Sequence, residues 1–277
     1  IVSTPGLPVA VSKMVVKANA LWRRQEVRRI ARLSLVTFLA VGTFFTLVVF
    51  FGVDIFTYFT ASSARYAILA IAPAIFFTCI VSAIRGYFQG MSNMVPTAIS
   101  QIIEALGKLL FGLALAMYLS NSGYSLEVVV AGAIGGVTIG TALSALYVIL
   151  MRLRDRRKEE RQDSHNVQAD DGAVSSSKEI VKRLIKLAIP ITIGASVLSL
   201  TYLMDTFVVM GRLKEGCNMT EPAATALYGV YNMAVTLFNI PPALITGFGV
   251  SIIPAIAAAL AMKNHERSIR MTETAFR

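Results

Sequence analysis

The sequence is poor in charge and in the residues that build most soluble active sites. Only 15% of its 277 residues are charged, 55% are hydrophobic, and it has two cysteines and two histidines. So little charge excludes an ordinary soluble domain, and the two separated cysteines indicate neither a disulfide framework nor a metal site. His165 and His265 lie in a polar segment and in the C-terminal tail, with no ligand at metal-binding spacing. The sequence therefore predicts neither an enzyme nor a bound cofactor.

Long hydrophobic runs are what the sequence has in place of charge. A helix needs about 18 or more consecutive apolar residues to cross the hydrocarbon core of a bilayer. Several runs without a single charged residue reach that length. The sequence therefore predicts an all-α, polytopic transmembrane helical bundle. These runs are 33–53, 66–84, 109–126, 128–151, 187–204 and 222–262.

The net charge of +10 raises the alternative of a nucleic-acid partner, and its distribution argues against one. Residues 17–32 carry six basic residues against one acidic residue, and 152–186 carry ten against seven. The other short connections are close to neutral. Basic loops of a membrane protein face the cytoplasm, and a weave of helices over 33–53, 66–88, 95–119, 126–151 and 180–211 puts both basic segments on that side. Membrane topology explains the charge, and no nucleic-acid partner is predicted.

The chain divides into two predicted membrane halves. Residues 1–153 form the first half, 154–178 read as a flexible cytoplasmic linker because they are polar and aperiodic, and 179–277 begin the second half. The uncharged run 222–262 is too long for one straight crossing. It is interpreted as one helix bent at Pro241–Pro242, with two crossings as the alternative.

The two ends of the chain resemble one another weakly. Aligning "LPVAVSKMVVK" (7–17) with "IPAIAAALAMK" (253–263) predicts a two-repeat architecture of which this sequence covers about one period. The chain begins "IVSTPGLP", without an initiator methionine or a basic leader segment, so truncation at both ends is expected.

Three ionisable residues lie within or beside the membrane runs: Glu104, Lys108 and Asp205. Because charge is costly there, each is expected to face protein or water. Glu104 and Lys108 are spaced i, i+4, with Ser100 and Gln101 one turn earlier, so these residues form a polar stripe. The stripe is interpreted either as a self-neutralised pair that helps helices pack or as the lining of a hydrated cavity. Small residues over 130–140, "VAGAIGGVTIG", predict close helix packing rather than a dinucleotide loop.

Asp205 has no basic neighbour one turn away, since those positions are Thr201, Tyr202, Val208 and Val209. Its charge must be compensated by another helix, by a bound cation or by a proton. The two ionic alternatives would couple it to an ion gradient, Na⁺ or H⁺. The remaining interpretation is an aspartate bonded to a nearby helix as a structural contact.

Three stretches carry a resemblance to a known family. They are "RGYFQGMSNMVPTAISQIIEALGKLLFGL" (85–113), "STPGLPVAVSK" (3–13) and "LYGVYNMAVTLFNIPPALITGFGVSIIPAIA" (227–257). They resemble the polysaccharide-biosynthesis and stage V sporulation protein B branch of the multidrug/oligosaccharidyl-lipid/polysaccharide exporter superfamily, which also includes the lipid II flippases. The resemblance implies a MATE-like fold of two six-helix bundles. This chain would then run from the end of helix 2 to the approach to helix 9.

The resemblance also implies a function and site residues. Family members flip undecaprenyl-linked precursors across the cytoplasmic membrane, and some hold Na⁺ with an acidic residue of helix 7, which Asp205 matches. The other ligands would lie on helices 11 and 12, so that site would be incomplete here. In "TLFNIP" this chain has Thr236 where the lipid II flippases carry an arginine that faces the diphosphate. The substrate-cavity candidates are Ser100, Gln101, Glu104, Lys108, Thr236, Asn239 and Arg85.

Arg85 has a competing interpretation. The sequence places Arg85 at the cytoplasmic end of its helix. A surface anchor is therefore the favoured interpretation, ahead of contact with substrate. The expected function is cation- or proton-coupled flipping of a lipid-linked oligosaccharide or peptidoglycan precursor, with membrane lipids as surroundings. The alternative is a drug or metabolite cation antiporter of the same fold.

Overall fold

The computed structural model describes residues 6–21, 23–59, 64–163 and 176–242, and these residues form helices joined by short turns. A π-helical turn, Arg212–Gly216, separates the last two helices. In chain order the helices are α1 (Gly6–Ala20), α2 (Arg24–Phe51), α3 (Val53–Phe59), α4 (Arg65–Gly90), α5 (Val95–Asn121), α6 (Leu126–Asp163), α7 (Ser177–Gly211) and α8 (Glu221–Phe238).

The prediction of a multi-pass helical membrane protein is confirmed. Among the described residues, five helices are long and apolar enough to cross a membrane, namely α2, α4, α5, α6 and α7. They coincide with the helices predicted over 33–53, 66–88, 95–119, 126–151 and 180–211. Many of their large apolar side chains are exposed, Phe44, Leu109 and Phe207 among them. Such surfaces are suited to contact with lipid chains.

Several helices extend beyond their apolar runs. Helix α2 begins at Arg24, within the basic segment, and α6 continues through "RDRRKEERQD" to Asp163. The first part of the predicted linker 154–178 is therefore helical. Arginine, lysine and glutamate are strong helix formers, so a polar composition alone did not end the helix. Residues 164–175, together with His165, lie outside the described residues.

The structure describes only the start of the run 222–262. Helix α8 ends at Phe238 with Asn239 at its C-cap, and helical backbone resumes at Ile240 and includes Pro241–Pro242. From residue 243 onward the chain lies outside the described residues, as do His265 and the proposed repeat segment 253–263. The bent-helix interpretation therefore stays a prediction.

The chain separates into two compact units, Ile1–Ser199 and Leu200–Arg277. We call them unit 1 and unit 2 and describe each by itself. This boundary lies within α7, whereas the predicted halves meet in the linker. The predicted division into 1–153, 154–178 and 179–277 stays a prediction.

Helix α4 is the centre of unit 1. It packs against α1, α2 and α6, while α5 packs mainly against α6 and also contacts α4. The second half of α4 is almost entirely enclosed, from Cys79 to Gly90. The first turns of α7 also contribute to this core through Ile180 and Leu184. The polar side chains of unit 1 are held in place by this arrangement.

Two glycines at the end of α4 serve packing rather than a turn. The sequence "RGYFQGMSNMVP" suggests a turn over 85–96 that includes Gly86 and Gly90, but both residues lie inside α4. A Cβ at Gly86 would lie 2.7 Å from the carbonyl oxygen of Pro8 and one at Gly90 2.5 Å from Cβ of Val15. Because both neighbours belong to α1, the two glycines let α1 and α4 approach closely.

The turn between α4 and α5 is shorter than the sequence suggests. Ser92 takes the left-handed conformation with φ of 58°. The amide of Asn93 then donates to the carbonyl oxygen of Phe88 at 2.9 Å. Pro96 lies in the first turn of α5, the usual position of proline in a helix.

Gly86→Ala is expected to destabilise the protein by about 1–3 kcal/mol, because the added methyl group overpacks a rigid backbone contact. Gly194→Ala is the matched control, since a Cβ at this helical glycine of α7 would meet nothing within 4 Å. Alanine is the better helix former, so the control should be neutral or slightly stabilised. Thermal unfolding of the purified protein in detergent measures both. Equal unfolding temperatures for the two variants would contradict the packing role of Gly86.

Candidate functional site

Arg85 lies buried within unit 1, not on the surface. Only 4% of the residue is exposed. Its Nε donates to Oγ of Ser100 at 2.8 Å, and its Nη2 donates to Oε2 of Glu104 at 2.9 Å and to Oγ of Ser144 at 3.0 Å. The favoured surface-anchor interpretation of Arg85 was therefore wrong. Position along α4 suggested a helix end, but α5 and α6 enclose this turn of the helix.

Glu104 bridges two cations. Besides Arg85 it pairs with Lys108, whose Nζ donates to Oε1 at 2.6 Å. The Glu104 side chain is 14% exposed and the Lys108 side chain 38%. The i, i+4 pair predicted from the sequence is present, but the carboxylate also receives a guanidinium from another helix. We call the linked side chains of Arg85, Ser100, Glu104, Lys108 and Ser144 the ionic network.

Glycines position the ionic network. Helices α5 and α6 cross closely, because a Cβ at Gly107 would lie 2.6 Å from Cα of Gly140. The same crossing continues at Gly112 and Gly136, so the expectation that small residues over 130–140 allow close packing is confirmed. With α6 held against the backbone of α5, Ser144 lies one turn beyond Gly140 and reaches Arg85.

The polar stripe on α5 is divided by the structure. Ser100 is fully buried and Gln101 is exposed. Hydrogen bonds with Arg85 join Ser100 and Glu104 to the ionic network. These contacts across α4, α5 and α6 are what the packing interpretation requires. Contact of Glu104, Lys108 or Gln101 with a substrate stays a prediction.

Asp205 lies on α7 in unit 2 and is partly exposed. Its Oδ2 accepts a hydrogen bond from the Tyr231 hydroxyl of α8 at 3.0 Å. Within the described part of the chain, no lysine or arginine forms an ion pair with it. The neighbouring helix therefore supplies a neutral donor and leaves the negative charge of an ionised Asp205 without a cation from these residues.

Further hydrogen bonds join α7 to α8 around Asp205. The hydroxyl oxygens of Thr206 and Tyr228 lie 2.6 Å apart, and Nδ2 of Asn239 donates to the Tyr202 hydroxyl at 3.3 Å. Asn239 thus belongs to the same helix pair as Asp205. Thr236 does not share these contacts, since its hydroxyl donates to the backbone of its own helix at Asn232.

Three tyrosines beside Asp205 were missed by sequence reasoning. Tyr202, Tyr228 and Tyr231 each bond across the α7 and α8 pair. The i, i+3 spacing of Tyr228 and Tyr231 puts both on one face of α8, and their rings lie 5.9 Å apart. That spacing was visible in "YGVY", but its partners on α7 were not. Together with Asp205 they form a polar, aromatic face, which we call the α7/α8 face.

The five long apolar helices define a multi-pass membrane protein. The sequence profile of the family described as "Polysaccharide biosynthesis protein" matches residues 1–260, so the chain belongs to that family.

Named relatives come from Bacillus subtilis (strain 168). Stage V sporulation protein B is 28% identical over 93% of this chain and 49% of its own length. Lipid II flippase MurJ is 24% identical over 96% of this chain and 50% of its own, and the uncharacterized membrane protein YabM is 25% identical over 96% and 48%. The chain thus spans about half the length of the curated relatives it matches. No solved structure matches it.

Proposed function

We propose that the protein moves a lipid-linked saccharide or peptidoglycan precursor across the cytoplasmic membrane by alternating access. Membership of the polysaccharide biosynthesis family is the observation that carries the proposal. The similarity to a protein named lipid II flippase adds the class of substrate. In such a mechanism the cavity opens to one side of the membrane at a time, and no covalent step on the substrate is required.

We propose that the ionic network keeps α4, α5 and α6 rigid during transport. It ties α4, α5 and α6 together through charge-assisted hydrogen bonds of Arg85 and Glu104. Rigid helical bundles that move as bodies are what alternating access requires. Lys108, the most exposed cation of the network, and the exposed Gln101 on the same helix are the groups placed to meet a polar headgroup.

Asp205 is proposed as the ion-coupling residue. A carboxylate in a membrane helix is costly unless it is paired, and the described residues provide it with a hydroxyl but no cation. A proton or a Na⁺ ion would complete the compensation. Oxygen is the ligand type that hard cations bind, and the described residues supply one carboxylate here. Asp205 would therefore be one ligand of a Na⁺ site whose other ligands come from elsewhere in the intact protein.

A translocation assay in vesicles separates this function from its alternative. The intact protein is reconstituted in vesicles, and a fluorescent undecaprenyl-linked saccharide and a cationic dye are followed in parallel across the membrane. Protein-dependent movement of the precursor and not of the dye is expected. Movement of the cationic dye alone would establish a drug or metabolite antiporter in place of a flippase.

A further inference from the structure

A cavity at one end of unit 1 is lined by four arginines. Its volume is about 290 Å³, and Arg28 and Arg32 enter it from α2 while Arg152 and Arg156 enter it from α6. No carboxylate belongs to the described residues that line it. The arginines are spaced i, i+4 on each helix, so each pair points from a single helix face. We call this space the arginine cavity.

The floor of the arginine cavity is apolar. It is formed by aliphatic and aromatic side chains of α2, α4 and α6. The four guanidinium groups therefore adjoin an apolar surface. This combination matches a molecule that carries an anionic group next to hydrocarbon. The floor residues are Ala31, Leu35, Ala83, Ile84, Tyr87, Ile149 and Leu153.

Neighbouring side chains hold one guanidinium in place. The guanidinium carbon of Arg152 lies 3.8 Å from the centre of the Tyr87 ring, a cation–π contact. The Tyr87 hydroxyl donates to Oδ2 of Asp155 at 2.9 Å, and Arg152 pairs with the same oxygen at 3.5 Å. Because Arg152 is already fixed, it has less conformational freedom to lose when it binds a ligand.

The location of the arginine cavity indicates a lipid as its ligand. The arginines lie where α2 and α6 pass from basic to uncharged sequence, which is the level of lipid headgroups, and the positive-inside rule assigns this end to the cytoplasm. Guanidinium groups bind phosphate through paired donors, and basic pockets between membrane helices on the cytoplasmic side suit anionic headgroups.

We infer that the arginine cavity binds the phosphate headgroup of an anionic phospholipid from the cytoplasmic leaflet. The phosphate lies among the four guanidinium groups, and an acyl chain follows the apolar floor. This site shares no residue with the ionic network or with the α7/α8 face, and its ligand is a membrane lipid rather than the transported substrate.

A second basic cavity shows why the arginine cavity is the better lipid site. It has a volume of about 720 Å³ and is lined by lysines as well as arginines, among them Lys13, Lys17 and Lys186. It also contains Glu26, which is ion-paired with Arg23 at 3.2 Å. That carboxylate lies in the lining itself and would repel a phosphate, whereas Asp155, which pairs with Arg152, is not one of the described residues that line the arginine cavity.

The test compares two double variants of the intact protein in neutral detergent. Arg32→Gln with Arg156→Gln removes one exposed cavity arginine from each helix. Arg24→Gln with Arg157→Gln is the matched control, because it also removes one exposed arginine from each of α2 and α6, but neither lines the cavity. Dioleoyl phosphatidylglycerol and dioleoyl phosphatidylethanolamine are titrated separately, and bound lipid is counted by native mass spectrometry.

The wild-type protein should bind phosphatidylglycerol in preference to phosphatidylethanolamine. The cavity double variant should weaken phosphatidylglycerol binding about thirtyfold, from roughly fivefold for each cation near a headgroup, and the control pair should change it less than about threefold. Arg32→Gln alone, the gentler variant, should weaken it about fivefold. Equal losses in the two double variants, or no preference for phosphatidylglycerol in the wild type, would overturn the assignment.

Inorganic phosphate distinguishes a lipid from a soluble anion. Millimolar phosphate should compete weakly, because it makes no contact with the apolar floor. Complete displacement of phosphatidylglycerol by millimolar phosphate would show that a soluble phosphate compound is the ligand and would overturn the lipid assignment.

Discussion

Glu104→Gln is expected to destabilise the protein by about 3–5 kcal/mol, which is the usual cost of removing one partner from a buried ion pair. Glu104 is the carboxylate between Arg85 and Lys108. Without its charge, the buried Arg85 guanidinium faces a neutral amide, and its hydrogen bonds to the hydroxyls of Ser100 and Ser144 do not neutralise it. Thermal or denaturant unfolding in detergent, together with the yield of membrane-inserted protein, measures the loss.

A control substitution of another glutamate and a double variant test whether the loss of stability comes from the buried ion pair. Glu127→Gln, at the exposed first turn of α6, should change stability by less than about 0.5 kcal/mol. Arg85→Met combined with Glu104→Leu removes both buried charges and should be less damaging than the sum of its single changes. Wild-type stability of Glu104→Gln with a loss of transport would contradict the structural role and favour contact with substrate.

Asp205→Asn is expected to remove the dependence of transport on an ion gradient without loss of membrane insertion. The asparagine keeps the size of the side chain and still accepts a hydrogen bond from Tyr231, but it carries no charge. Moving one elementary charge through 100 mV involves about 2.3 kcal/mol, equivalent to about fiftyfold in rate or equilibrium. Stimulation of precursor movement by an imposed Na⁺ or proton gradient should therefore fall to the level without a gradient.

Two further variants serve as controls for Asp205→Asn. Asp54→Asn removes an exposed carboxylate of α3 that pairs with Arg65 at the start of α4, and it should leave gradient-driven transport within about twofold, because surface pairs contribute little. Tyr231→Phe removes the hydrogen bond but keeps the charge. It should shift the cation concentration for half-maximal stimulation by about tenfold, since a hydrogen bond to a charged group contributes about 1.5 kcal/mol.

The membrane helices could be predicted because hydropathy is a local property. Runs such as 33–53 and 126–151 fix a helix by length and composition alone, without knowledge of neighbours. The ends of the helices were harder to predict. Helix α6 continues through charged residues, because arginine, lysine and glutamate are strong helix formers, so the end of the apolar run did not mark the end of the helix.

The partners of individual side chains could be predicted only within one helix. The Glu104 and Lys108 pair follows from an i, i+4 spacing. The burial of Arg85 depends on Ser144 of α6, far along the chain, and no periodicity in the sequence links the two. Gly86 and Gly90 were ambiguous for the same reason, because glycine suits both a turn and a close helix crossing, and only the position of α1 decides between them. Asp205 was identified by its isolation, whereas its bond to Tyr231 required the pairing of α7 with α8.

The most direct test is the rate at which a fluorescent undecaprenyl-linked saccharide crosses the membrane of vesicles that contain the intact protein. Protein-free vesicles and vesicles with Asp205→Asn at equal protein content are compared, each with and without an imposed cation gradient. The wild-type protein should move the precursor faster than protein-free vesicles, and the gradient should accelerate it only when Asp205 is present. A rate equal to that of protein-free vesicles would contradict a flippase, and equal gradient stimulation of the wild type and Asp205→Asn would contradict coupling through Asp205.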